Sequence, residues 1–396
     1  MNIKDAIVKN TTLSRLLKIC NDEKFGRVYV VGGFIRDYFF DVQCKDIDIS
    51  VEKNSLLLAK KITNMFNGKL ENSKFSTHSI YFKHFRIDIA NMRKETYIRP
   101  GNLPKIKLTN YIRDDLIRRD FTINSLAASL NSRDLGEIID PLDGLFDINN
   151  QILRNNHSLS FYDDPTRIFR AIKYSNKLSL KIDSKTEKQL YEHKKFIKNL
   201  SSRRILNELN ILLEDDFHLN FKKLSKYKIM TEIENNFIPF TDKISSYKKL
   251  PLSKLQKIYL LTKNIDKMVA ENLYTKSPEF FEWSNGIKLN NKYKKIHFNK
   301  YTSSRNLHLF LKDLPREFLL FMELSENRDY VKKQLSSYLK KLSKIKLFIN
   351  GSDLLDIGYK KGPIIGNILN QILLKKISGE IKTKSDEINF AKMKMR

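Results

Sequence analysis

Two periodicities divide this chain. Before about residue 140, short apolar runs or apolar–polar alternation mark strands; from about residue 160, apolar residues return every three or four positions, as in helices, and Gly and Pro become scarce. Arg27-Val28-Tyr29-Val30-Val31 is β-branched and stops at Gly32-Gly33, which predicts a strand ending in a tight turn. Asp46-Ile47-Asp48-Ile49-Ser50-Val51 alternates as a half-buried strand should, and Ser79–Phe82 with Phe85–Ile89 predicts a hairpin pair. Residues 91–114 carry Pro100, Gly101 and Pro104 among charged residues and read as a loop. Further on, Ile168, Ile172 and Ser175 share a helical face, and so do Leu206, Leu209 and Leu213. Lys249-Leu250-Pro251 and Asn350-Gly351-Ser352 read as breaks between helices. The expected fold class is α+β, a small N-terminal sheet domain followed by an all-helical body.

Composition narrows the partners. A formal net charge of +28, from 73 Lys and Arg against 45 Asp and Glu, favours a polyanion, either nucleic acid or an anionic membrane. Codon bias toward Lys, Asn and Ile would raise the charge without any function. Two cysteines, Cys20 and Cys44, make no disulfide framework and no zinc spacing, so a reducing, cytoplasmic setting is expected. The first residues, MNIKDAIVKNTTLSRLLKI, read as an amphipathic helix and not as a signal peptide, and no apolar run is long enough to predict a membrane span.

The chemistry begins with Asp46 and Asp48. Two apart on a strand, they face the same way while Ile47, Ile49 and Val51 face the core. Paired carboxylates repel unless a cation sits between them, and Mg²⁺ prefers such hard oxygens. Asp88, between Ile87 and Ile89, repeats the pattern. Three acids on one sheet face could hold two ions about 4 Å apart, one activating a hydroxyl and one neutralising pyrophosphate. A lone Asp-x-Asp is more often a solvated strand edge. Gly32-Gly33-Phe34-Ile35-Arg36-Asp37 sharpens the pattern, since a Gly pair between strand and helix lets backbone N–H groups approach phosphates. Arg36 would then contact a triphosphate, or pair structurally with Asp37.

Gly-Gly-x-x-Arg-Asp followed by Asp-x-Asp resembles the polymerase-β-like nucleotidyltransferase signature, and specifically the class II tRNA nucleotidyltransferase and bacterial poly(A) polymerase family. Arg118-Arg119-Asp120-Phe121-Thr122-Ile123-Asn124-Ser125 resembles the family's ribose-contacting motif, and Ile139-Asp140-Pro141-Leu142-Asp143-Gly144 the segment joining sheet to helices. Asp163-Asp164-Pro165-Thr166-Arg167-Ile168-Phe169-Arg170 resembles the base-selecting motif, and Ser201-Ser202-Arg203-Arg204 through Leu209 the motif that buttresses it. A weaker likeness lies at Asn350–Leu355 and Gly362–Leu369. One departure is visible: the family often has Gly shortly after Arg-Asp, where this chain has Phe39-Phe40-Asp41-Val42.

The resemblance implies a polymerase-β-like catalytic head over residues 1–140, a nucleotide-selecting neck over 141–215 and an elongated helical tRNA-binding body and tail over 216–396. It implies template-independent addition of C, C and A to tRNA from CTP and ATP, with two Mg²⁺ on Asp46, Asp48 and Asp88, no membrane and no protein partner. CC-only, A-only or poly(A) addition share the motifs, and a catalytically silent RNA-binding relative is the non-enzymatic alternative. Gly32, Gly33, Arg36 and Arg119 would meet the triphosphate, and Asp120 and Asn124 the ribose; a helix cap or a satisfied core amide is the lesser alternative for Asn124.

Asp164 and Arg167, three apart in a predicted helix, would share a face. An acceptor beside a donor matches the Watson–Crick edges of cytosine and adenine, while uracil and guanine present the reverse order; a surface ion pair is the plainer reading. Arg170 and Arg203 would shape the base pocket, and Arg93-Lys94-Glu95 would belong to a loop that helps switch from C to A. Lysine runs at Lys222-Lys223, Lys248-Lys249, Tyr293-Lys294-Lys295, Lys340-Lys341 and Lys360-Lys361 suit a phosphate backbone or an ordinary solvated helix face. The seven histidines are scattered, so no accessory phosphatase is expected.

Overall fold

The computed structural model describes residues 2–44, 46–72, 77–82, 85–233, 252–262 and 281–395. The chain divides into two compact units, Met1–Lys249 and Leu250–Arg396. The Lys248-Lys249 run and the Lys249-Leu250-Pro251 break lie outside the described residues.

Up to residue 140 the strands are β1 Val28–Val31, β2 Asp46–Val51, β3 Lys69–Asn72, β4 Thr77–Tyr81, β5 Arg86–Asn91, β6 Arg93–Thr96, β7 Lys105–Leu108, β8 Ala127–Ser129 and β9 Ile138–Ile139. Seven of them form one mixed sheet in the order β3-β4-β5-β2-β1-β8-β9, with β2 and β5 parallel at its centre. All four residues of β1 are buried, as an uninterrupted apolar run in a central strand requires. Ile47, Ile49 and Val51 of β2, with Ile87 and Ile89 of β5, are buried, each such side chain contributing about 1.5–3 kcal/mol.

Two helices pack on this sheet: α1, Gly33–Phe39, against β1 and β2, and α2, Ser55–Phe66, against β4 and β5 through Leu58, Ala59 and Ile62. Where glycine was expected after α1, Asp41 takes the left-handed conformation itself (φ 51°), a position that Asp tolerates better than most residues.

Residues 91–114 are not a simple loop. β6 and β7 pair as a separate antiparallel hairpin around the Pro100–Pro104 turn region, and helix α3 starts at Ile112 and runs to Ile117. The inward positions of β6 are Arg93 and Glu95, kept in by ion pairs, so hydrophobic alternation had nothing to register.

The joint to the helices is tight. Asp140 accepts hydrogen bonds from the N–H groups of Leu142, Gly144 and Leu145, and a Cβ on Gly144 would stand 2.3 Å from the Thr122 carbonyl oxygen. Beyond it, α4 (Thr166–Lys177) buries Ile168, Ile172 and Ser175, and α5 (Ser202–Glu214) buries Leu206, Leu209 and Leu213.

Among its described residues the second unit is helical. One core gathers Tyr259, Tyr293 and Phe318; another gathers Ile349, Leu354, Tyr359, Ile368, Ile372 and Phe390. The Asn350 motif is a capping box with Asp353, Gly358 closes that helix in the left-handed region (φ 113°), and Pro363 opens the next. Buried Glu387 accepts the Phe348 and Ile349 N–H groups and pairs with Lys376. No helix among the described residues is long and apolar enough to cross a membrane.

Candidate active site

Asp46, Asp48, Asp88, Gly32, Gly33, Arg36, Arg119, Asp120, Asn124, Asp164, Arg167 and Arg170 all line one cleft of about 850 Å³ in the first unit, and Arg203 does not. Its acidic wall follows from strand register. Asp48 of β2 lies directly beside Asp88 of the parallel β5, and Asp46 lies beside Arg86. The Arg86 guanidinium stands 3.2 Å from Asp88 Oδ2 and 3.7 Å from Asp46 Oδ2. Asp88 Oδ1 is buried and makes no hydrogen bond among the described residues. Burial pushes the Asp48 carboxyl above its ordinary range; Arg119 and Arg86 pull it back, while Asp88 and Asp46 add to the rise. Hard oxygens in surplus, one of them unpartnered, fit a divalent cation. As they lie, no group of three or more Asp, Glu, His or Cys side chains among the described residues is gathered to grip one ion.

Gly32 sits at the head of this wall, where β1 turns into α1. Its φ of 67° suits glycine, and a Cβ there would come within 2.9 Å of Arg119 Nη1 and 3.9 Å of Asp48 Oδ2. Its own N–H donates to the Leu126 carbonyl, while Gly33 begins the helix. Arg36, expected at a triphosphate, is buried and spends its donors inward, on Asp37 (2.8 Å from Nε) and Asn124 Oδ1 (2.7 Å), with Tyr174 beneath its plane. Asn124 passes the chain on to Asp120 Oδ1 (3.0 Å), and Asp120 Oδ2 meets Arg170 at 2.8 Å. Burial opposes ionisation of Asp120, yet Arg170, with Asn124 and Arg167, holds its carboxyl below the usual range. Asn124 is thus the satisfied buried amide that the sequence left open.

A second brace centres on fully buried Asp115, which no motif marked out. It accepts from Arg118, Arg119, Ser50 Oγ and the Arg93 N–H. Arg118 also reaches Glu95 (2.8 Å), which takes the Tyr97 hydroxyl proton bond as well. Arg93-Lys94-Glu95 is therefore a strand tied into the cleft floor by its first and last residues.

Asp164 and Arg167 do not share a helix. Asp164 is extended (φ −133°, ψ 95°), because the residue before a proline is excluded from helical geometry, and α4 starts only at Thr166. Asp164 Oδ1 accepts from the Thr166 N–H and hydroxyl and from Arg204 Nη2 (2.6 Å). Arg167 is buried and donates to Ser160 Oγ and the Arg118 carbonyl, both at 2.7 Å. Both still border the cleft. Arg204, not the exposed Arg203, is the arginine that reaches Asp164; its place four before Glu208 on the rim of the α5 apolar face was the available signal.

Comparison with known proteins finds similar families, sequences and structures. The family described as "Poly A polymerase head domain" matches residues 28–154, and "Probable RNA and SrmB- binding site of polymerase A" matches residues 179–238. The A-adding tRNA nucleotidyltransferase of Geobacter sulfurreducens is 30% identical over 92% of this chain and 44% of its own length. The chain thus spans under half the length of that relative. The A-adding tRNA nucleotidyltransferase of Halalkalibacterium halodurans is 27% identical over 92% of this chain and 88% of its own. The structure of the Thermotoga maritima CCA-adding enzyme complexed with tRNA superposes with a TM-score of 0.74 at 25% identity, covering 100% of this chain and 99% of that one.

Proposed function

The chain belongs to the tRNA nucleotidyltransferase and poly(A) polymerase family, and from that premise we propose that it rebuilds the 3′ end of tRNA by adding C, C and A from CTP and ATP. The observation that carries the reading is the single cleft that holds an acidic sheet face, a glycine turn and a braced Asp–Arg pair together.

In this reading the terminal hydroxyl of the RNA gives up its proton to solvent as its oxygen bonds to the α-phosphorus, the bond from that phosphorus to the β-phosphate bridge breaks, and pyrophosphate leaves with the negative charge. Enzymes of this family use divalent metal ions, and Asp46, Asp48 and Asp88 would hold two Mg²⁺, which neutralise phosphate charge and acidify the hydroxyl when bound. Gly33 and Arg119 meet the triphosphate, and Gly32 leaves room for the Arg119 head. Arg36 acts one step behind, fixing Asn124 and through it Asp120, the wall on which the ribose rests. Asp164 offers an acceptor and Arg167 a donor to the base edge. Arg204 and Ser160 hold that pair rigid, so a base with the reverse order leaves buried polar groups unmatched at about 1–3 kcal/mol each. Positioning and fixed charge supply most of the acceleration. Residues 1–140 serve as head, 141–215 as neck and 216–396 as tRNA-binding body, working in the cytoplasm.

The test supplies the purified chain with tRNAs lacking CCA, lacking only the final A, or complete, with labelled CTP and ATP given separately. Incorporation of both nucleotides, stopping after one A, is expected. The A-adding names of the two relatives favour one second reading, A addition alone, and uptake of ATP only onto tRNA ending in CC would establish it. Extended A tracts on any RNA would indicate poly(A) synthesis, and no incorporation at all would sink the proposal.

A further inference from the structure

We propose that Arg86 is an internal counter-ion that competes with the divalent cation for Asp46 and Asp88, and so sets how tightly this chain holds metal. The inference rests on the metal-binding reading above and adds a residue to it.

Three observations carry it. Arg86 is fixed by register beside Asp46 on the parallel strand β2 and opposite Tyr81 on β4, so its side chain rises among the acids and not at a distant edge. Its guanidinium contacts Asp46 and Asp88 at once, at 3.7 and 3.2 Å, while the second oxygen of Asp88 is buried with no hydrogen bond among the described residues. The side chain is 39% exposed, so it can turn toward solvent without unpacking the core. One guanidinium carries a single charge and cannot reach every acid oxygen, whereas a divalent ion can; the arginine therefore steadies the acids without satisfying them. A cation entering there must displace a like charge a few ångströms away, and that repulsion weakens its binding.

The experiment titrates the full-length chain with Mn²⁺ and follows free Mn²⁺ by electron paramagnetic resonance, with no nucleotide or RNA present. Arg86→Gln is expected to bind Mn²⁺ about tenfold more tightly than wild type, and Arg86→Lys, whose single head cannot span both acids, to fall between. The rise in melting temperature on adding Mn²⁺ should follow the same order. Equal or weaker binding by Arg86→Gln overturns the inference; should that variant fail to fold, equal or weaker binding by Arg86→Lys does so. Asp48→Asn separates the two levels of the argument. If wild type binds no Mn²⁺, or Asp48→Asn binds it as well as wild type, the metal-binding reading itself has failed and this inference with it. If binding is lost in Asp48→Asn but unchanged in the Arg86 variants, only the role of Arg86 falls.

Discussion

The two walls of the cleft treat charge in opposite ways. On the sheet side, Asp48 is pushed up by burial and one oxygen of Asp88 finds no hydrogen-bond partner among the described residues. On the helix side, Arg167, Asp164 and Arg170 are each committed to neighbours: Ser160 and the Arg118 carbonyl, Arg204, and Asp120. Charge left short of partners suits a wall whose task is to receive more charge. Charge already matched suits a wall whose task is to keep a fixed outline and reject what does not fit.

The sharpest way to break this contrast is Asp48→Asn. It should lower turnover by about a thousandfold or more while tRNA affinity, measured by filter binding, stays within about twofold. A substitution on the other wall should act differently. Arg167→Ala should relax nucleotide choice by about tenfold to a hundredfold toward UTP or GTP in competition assays; unchanged exclusion would mean that the braced pair does not read the base. Gly32→Ala tests the corner where the walls meet. It should cost about 1–3 kcal/mol in denaturant unfolding, through its left-handed backbone and the approach to Arg119, and lower activity with it.

The smallest effect concerns Glu208, behind the helix wall. Burial, with Asp164 adding and Arg170, Lys173 and Arg204 offsetting, pushes its carboxyl up to about 7. The folded chain then holds this proton more tightly than the unfolded chain, so stability falls as pH climbs from the ordinary carboxylate range through about 7. Glu208→Gln should melt with wild type at about pH 4 and above it at about pH 8. A gap that widened toward acid would contradict the sign.

The same contrast governs what the sequence could disclose. The acidic wall was legible because β2 and β5 bury isoleucines at every second place, which fixes the direction of Asp46, Asp48 and Asp88 without knowledge of their neighbours. The helical faces of α4 and α5 were legible for the same reason. The braced side was not. β6 turns charged residues inward, and periodicity has no symbol for a glutamate kept in by an arginine 23 residues away. Arg118 and Glu95 meet only through the fold, and Asp164 leaves the helix because Pro165 forbids it to stay. Arg36 was named as a phosphate ligand because it follows the glycines. Its partner Asn124 lies 88 residues away, a distance no local pattern spans.

One small contact bears on all of this. Gly144 lies so close against Thr122 that not even a methyl group could be admitted between them. In the proposed reading, the part that joins atoms and the part that inspects letters are held to a common tolerance here, and a slip at this seam would be expected to blur accuracy.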